Sequence, residues 1–436
     1  MTLSNPDQAS LVLSGAAILP DCHALLFNSA IAVVDEVIQA CGDRSHIRRQ
    51  FAGIPEVHVD DCVLMPGFVN AHSHLELSFL AGQIPGPARF PDWVLQLMAA
   101  YPSAADAPDV FAASALLGAQ ESIRFGATTV GDISRQHAIV RPALQATSPL
   151  GIVSFGEITA LGSSRGQLEA RLAAAMDCKT TDRFSIGLSP HAPYSVEGPA
   201  LETIVNMARR YQLPLSMHLA ELKEERDFLR DCSGPLGKSW MLMKRLDLLD
   251  DLVPMFADGP IQWAQHYGLF NAGVPVVLAH VNYADDTDLD ILAGSGAAVA
   301  YCPRTRHYFG HDEIAPHPWQ DMRKRGIRVC LATDSMASNP DLSLLREAQF
   351  LQQQCPSIDS QLLIQMITTE PAAALGLGQQ IGRLASGFAA DIIAMPVPRN
   401  ALASAASFAD YLVCKAPLPR KVWIHGREVF SASRSN

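Results

Sequence analysis

The stretch LMPGFVNAHSHLELSFL, residues 64–80, stays apolar until it reaches His72-Ser73-His74. Side chains alternate faces along a β-strand, so residues two apart point the same way. His72 and His74 are therefore expected to project together from the end of a buried strand. Two imidazoles in an apolar setting are costly unless something satisfies both, and a metal ion does so because neutral imidazole is a ligand. Taken alone, the pair would read as two partly exposed loop histidines. The other ligands must come from elsewhere in the chain.

Working outward, short apolar runs alternate with helix-length amphipathic stretches from about residue 64 to 384. Eight candidate strands emerge: CVLMPGFVNAH (62–72), ATTVGDI (127–133), GIVSFGEI (151–158), FSIGLSP (184–190), LPLSMHL (213–219), VPVVLAH (274–280), AAVAYCP (297–303) and IRVCLATD (327–334). Helical patterns lie between them, such as VFAASALLGAQESIRFG, where Gly126 takes the position after the last turn. Eight βα repeats with continuously apolar strands predict an α/β fold, a TIM-type (β/α)8 barrel with strands buried on both faces.

The flanks are strand-like too: SLVLSGAAIL and SAIAVVDEVIQAC before the barrel, FAADIIAMPV and RKVWIHGREVF after it. Each is too short for a core of its own. The expected organisation is a small β-domain built from both ends, residues 1–63 and 385–436, beside a barrel at 64–384. The segment 222–271 is long for a barrel connection, and loops of that length are commonly lids.

The totals agree with an enzyme of this kind. The 436 residues are 48% hydrophobic and 18% charged, and 33 Lys+Arg against 44 Asp+Glu give a net charge of -11. That balance argues against nucleic acid or an anionic membrane as partner. No apolar run reaches the roughly 18 residues needed to span a bilayer. The start, MTLSNPDQAS, lacks a basic region followed by an apolar one, so a cytoplasmic protein is expected. Nine scattered cysteines without a CxxC pair fit reduced thiols.

In such a barrel the chemistry sits at the C-terminal ends of the strands. Those ends carry His72 and His74, then His191 in SPHAPYS, His218 and Glu221 in MHLAE, His280 in LAH, and Asp334 in LATD. Ionisable groups are rare at the ends of buried strands, and their repeated arrival at the same end predicts a metal centre. Individually they have plainer explanations: Glu221 as an acid at a helix N-terminus, Asp334 as a helix cap, His191 as a satisfied core histidine. The HLE at 74–76 also matches the H-x-E of cytidine-type zinc deaminases. That motif needs a later P-C-x-x-C, which YCPRT and QQCPS do not supply.

Together, PGFVNAHSHLE, SPHAPYS, MHLAE, LAH, CPRT…FG and TDSMASN resemble the amidohydrolase superfamily. More narrowly they resemble its branch of nucleoside and aminopurine deaminases and triazine chlorohydrolases, including S-adenosylhomocysteine/methylthioadenosine and aminodeoxyfutalosine deaminases. The likeness runs from about residue 10 to 430. It implies His72, His74, His218 and Asp334 as ligands of a divalent metal, zinc or iron(II), with a position left for water. It further implies Asp334 as the proton acceptor, His280 as the group that aims the water, Glu221 as the acid that protonates a ring nitrogen, and His191 as a substrate contact. Two-metal members use a carboxylated lysine on the fourth strand. RFSIGLSPH has none, so one metal per chain is expected.

One segment departs from the deaminase pattern. CPRTRHYFGH places Arg306 where asparagine is expected, with Arg304 nearby. Arginine matches carboxylates in bidentate fashion, so both are candidates for an anionic substrate arm. The structural alternative is an ion pair with the lid acids Asp227, Asp231 and Asp258. Trp93 in ARFPDWV, with Phe90, could stack on a flat heterocycle or simply pack.

The expected activity is hydrolytic deamination of an aminopurine or adenosine-type nucleoside, with a small heterocyclic substrate, no nucleic-acid or membrane partner, and a homo-oligomer, dimer or larger. The same site could support dechlorination or cyclic-amide hydrolysis. A metal-free scaffold is the non-enzymatic alternative.

Overall fold

The computed structural model describes residues 10–86, 89–242 and 255–432. Two sheets organise it. Leu11–Ile18 (β1), Ser29–Val34 (β2), Val37–Asp43 (β3) and Glu56–Pro66 (β4) come first in sequence. They join three late strands, Ile392–Pro396 (β13), Lys421–Ile424 (β14) and Arg427–Ser431 (β15), in one seven-stranded sheet. Its order is β15-β14-β13-β4-β1-β2-β3, so β13 beside β4 ties the two ends of the chain together.

Between them, eight parallel strands follow in chain order: Phe68–Ser73 (β5), Ala127–Ser134 (β6), Gly151–Ile158 (β7), Phe184–Pro190 (β8), Leu215–Leu219 (β9), Val276–His280 (β10), Ala298–Tyr301 (β11) and Arg328–Leu331 (β12). This is the TIM-type barrel. Strands with helices outside and side chains filling the interior are buried on both faces. Every residue of β5 and β6 is accordingly buried. Small and branched side chains fill the interior, among them Val69, Ala71, Val153, Phe155, Ala300 and Cys330. The expected helix terminus at Gly126 is present: helix Pro108–Arg124 ends there, and Gly126 has φ +89.

The junction differs from expectation. The apolar run 62–72 is not one strand but two, because β4 stays in the small sheet as far as Pro66 and the barrel begins at Phe68. Gly67 makes the passage. A Cβ there would lie 2.2 Å from the Thr128 side chain, so only glycine fits this close approach. The C-terminal segment also does more than complete a sheet, since helix Ala405–Lys415 packs on helices Leu344–Gln354 and Ser360–Gln365 of the barrel.

The long connection after β9 forms helices at Glu225–Asp231, Gly234–Leu242 and Pro260–His266. Residues 243–254 of it lie outside the described residues. No helix among the described residues is long and apolar enough to cross a membrane.

Candidate active site

The barrel closes where β12 returns to β5, and this seam holds the first part of the site. The Asp334 amide donates to the His72 carbonyl (3.2 Å), and Ser73 Oγ donates to the Asp334 carbonyl (2.8 Å). Asn70 Nδ2 adds a bond to Thr333 Oγ1 (2.7 Å). Asp334 sits at φ +55 and His280 at φ +71. Such backbone is costly for residues with a Cβ and is held only where surrounding contacts impose it, as at functional sites.

Four imidazoles and a carboxylate converge here. The His72 ring lies 5.1, 4.9 and 5.5 Å from those of His74, His218 and His280. Asp334 Oδ1 is 3.7 Å from His72 Nε2 and 3.6 Å from His74 Nε2. Two sets of side-chain atoms gather within metal-binding reach: His72 with His74 and Asp334, and His72 with His218 and His280. All of this is buried.

The hydrogen bonding shows what the cluster lacks. His218 Nδ1 faces the His191 carbonyl at 3.2 Å, and a carbonyl only accepts, so Nδ1 carries the proton. The lone pair of His218 Nε2 then faces His74 Nε2 at 3.2 Å. Both ring nitrogens of His72, and Nε2 of His280, are buried without a hydrogen-bond partner among the described residues. Orphaned polar atoms in a native interior ask for an explanation. A divalent cation supplies one, because it takes several imidazole lone pairs and a carboxylate at once.

Protonation states agree. Burial, reinforced by the neighbouring imidazoles, holds His72, His74 and His280 well below the usual histidine value and takes His218 down to about 3. Neutral imidazole is the metal-binding form. Burial pushes Asp334 up to about 7, against a hydrogen bond from Ser338.

Glu221 follows β9, with Oε1 3.6 Å from His280 Nε2. Burial, reinforced by Asp334 and Glu225, raises its carboxyl well above the ordinary value, which favours the protonated form. The turn carrying it is strapped from behind. Glu225 accepts from the Ala220 and Leu222 amides at 2.9 Å each, and Asn282 Nδ2 donates to the Glu221 carbonyl (3.0 Å). His280 is held similarly: His317 Nδ1 accepts from the Trp319 amide (3.0 Å), which leaves Nε2–H to donate to the His280 carbonyl (2.9 Å). Glu225, Asn282 and His317 were not expected as site residues.

A cavity of about 420 Å³ opens above the cluster. His191, Glu221 and Trp93 line it, together with His74, His218, His280 and Asp334. His191 Nδ1 is bonded to Ser195 Oγ (2.7 Å). Trp93 is buried, donates to the Ala337 carbonyl (3.1 Å), and packs on Phe90 and Phe309 in an aromatic wall. Glu157 and Arg135, absent from the expected set, line the cavity as well.

Arg304 and Arg306 do not line it. Arg304 is paired with Asp341 (2.9 Å) and Glu347 (2.7 Å). Arg306 is paired with Asp312 and donates to the His311 carbonyl (2.9 Å). The lid acids Asp227 and Asp231 pair instead with Arg230. Both guanidiniums are thus engaged in the fold by partners close to them in space.

Residues 63–429 match the amidohydrolase family model. This chain belongs to the amidohydrolase family. The 5-methylthioadenosine/S-adenosylhomocysteine deaminase of Desulforamulus reducens is 27% identical over 395 residues, covering 88% of this chain and 84% of that protein. The aminodeoxyfutalosine deaminase of Deinococcus radiodurans is 28% identical over 341 residues, covering 77% and 78%. An adenosine deaminase structure from Xanthomonas campestris with bound zinc superposes with TM-score 0.75 at 20% identity, covering 97% and 93%.

Proposed function

We propose that this amidohydrolase deaminates an aminopurine or an adenosine-type nucleoside, releasing ammonia, with one zinc ion held by His72, His74, His218 and Asp334. The observation that carries the proposal is a buried carboxyl, Glu221, 3.6 Å from His280 and beside a cluster of buried histidines, several of whose ring nitrogens lack hydrogen-bond partners among the described residues. Zinc at such a site lowers the pKa of a water to about 7 and so supplies a nucleophile.

The remaining work falls to side chains. Asp334 accepts the proton of the attacking water, and His280 Nε2, which has no hydrogen-bond partner among the described residues, orients that water. Glu221 gives its proton to the ring nitrogen beside the carbon under attack, which removes the aromatic stabilisation of the amidine. Asp334 then returns its proton to the amino group, the C–N bond breaks to release ammonia, and the proton of the added hydroxyl passes to Glu221 as the product carbonyl forms. The depth of the site keeps bulk water from competing for these protons. Trp93 and Phe90 offer a flat apolar wall for the heterocycle, and His191 a polar contact. Arg135, exposed at the cavity, rather than Arg304 or Arg306, is placed to meet an anionic arm.

The test is ammonia release by zinc-loaded protein over adenosine, adenosine derivatives with and without a carboxylate arm, guanine and aminotriazines. Release from adenosine-type compounds supports the proposal. No release from any amine, with chloride released from a chlorotriazine, would replace it with dechlorination.

A further inference from the structure

Glu157 is a carboxylate in the cavity wall that the mechanism above does not use. Its place follows from strand alternation. In β7, Val153 and Phe155 point into the barrel interior, whereas Ile152 and Ile158 pack outward against the helices. Residue 157 continues the inward series at the C-terminal end. The sheet order puts β7 two strands from β5 and two from β9, so Glu157 stands on the wall between the metal-binding strands without joining their cluster. Its charge reaches both His218 and Tyr194.

A second wall carboxylate provides the contrast. Glu76 is buried and fully occupied, accepting from Tyr101 Oη (3.0 Å), Ser134 Oγ (3.2 Å) and the Gln136 amide (2.8 Å). Glu157 is half-buried, and among the described residues no hydrogen bond or close ion pair holds it, although the Arg171 guanidinium attracts it from further off. A carboxylate that faces a cavity and is held by no protein donor is left to bind whatever fills the cavity. An ionised carboxylate only accepts, so its complement must be a donor.

We infer that Glu157 is a specificity-determining residue that binds hydrogen-bond donors of the substrate beyond its heterocycle. The shared chemistry is a pair of sugar hydroxyls or an ammonium group on the arm. The inference rests on a nucleoside-type substrate in this cavity, and it does not depend on the cavity's chemistry being deamination.

Binding is best read apart from turnover, in a Glu221→Gln background loaded with zinc. Calorimetric Kd values are compared for two pairs: adenosine with 2′,3′-dideoxyadenosine, and 5′-amino-5′-deoxyadenosine with 5′-deoxyadenosine. Hydrogen bonds to a charged group predict that the donor-bearing member binds about 10- to 100-fold more tightly in at least one pair. Adding Glu157→Gln should shrink that ratio to a few-fold while leaving the donor-poor member's Kd unchanged, which general misfolding would not do. The affected pair identifies the donor. Equal binding within both pairs, no binding at all, or a ratio that survives Glu157→Gln overturns the inference. Donor-dependent binding without ammonia release from the wild type would keep Glu157's role and remove the deaminase. Ammonia release with donor-independent binding would do the reverse.

Discussion

Two buried polar clusters face each other across the last strands of the barrel, and they differ in what they need. Around Arg304, every charge has a protein partner: Asp341 and Glu347 take the guanidinium, and Asn339 Nδ2 also donates to Glu347 (2.6 Å). Around His72, no rearrangement of protons satisfies all the ring nitrogens, because both nitrogens of His72 and Nε2 of His280 have no hydrogen-bond partner within reach among the described residues. The charges of the first cluster are balanced as folded, although Asn339 Oδ1 has no hydrogen-bond partner among the described residues, and they are structural. The second is incomplete without a cation. A buried charge is thus a poor guide to function by itself, and several neighbouring imidazole nitrogens that all lack partners are a better one.

The sharpest way to break this comparison is at Asp334. On the proposed mechanism Asp334→Asn removes both a ligand and the proton acceptor, and turnover should fall by more than about 10⁴-fold, measured as ammonia release. A near-wild-type rate would strip Asp334 of its role. Glu221→Gln should cost about 10²- to 10⁴-fold in kcat while metal content stays at the wild-type level. Metal loss in that variant would make Glu221 a ligand.

Arg304 sharpens the other side. Arg304→Ala leaves Glu347 without its countercharge, while Asp341 keeps Arg346, and breaking a buried pair costs about 3–5 kcal/mol. Chemical denaturation should show that loss, while KM of the folded enzyme stays unchanged. A raised KM without loss of stability would return Arg304 to the substrate.

The smallest effect concerns pH. Burial raises Glu225 from 4.5 to about 8. Its contribution to stability is therefore full below pH 4.5 and lost as pH rises through 8, since the folded state holds the extra proton. The Tm of wild type should fall from pH 5 to pH 8 by more than that of Glu225→Gln. Equal slopes would mean that Glu225 is ionised throughout.

Most of the site was legible because barrel topology converts strand ends into neighbours. Histidines 72, 74, 218 and 280 and Asp334 each end or closely follow an apolar run, and that position marks them. Glu157 escaped because GIVSFGEI was read to its apolar last residue, although Val153, Phe155 and Glu157 already form an inward series. Glu225 and His317 carry no comparable mark, since their value lies in bonds to backbone groups of other residues. The arginines misled for a related reason. Their charge is visible locally, but the partners of Arg304 lie 37 and 43 residues further on. The split of the run 62–72 likewise depends on one glycine and the Thr128 side chain packed against it.

The central claim is that the histidine cluster is a single metal site, and metal analysis tests it most directly. Protein loaded with zinc and freed of excess should carry one equivalent per chain, and His72→Ala/His74→Ala should carry none. Two equivalents in the wild type, or an undiminished equivalent in the double variant, would contradict the account.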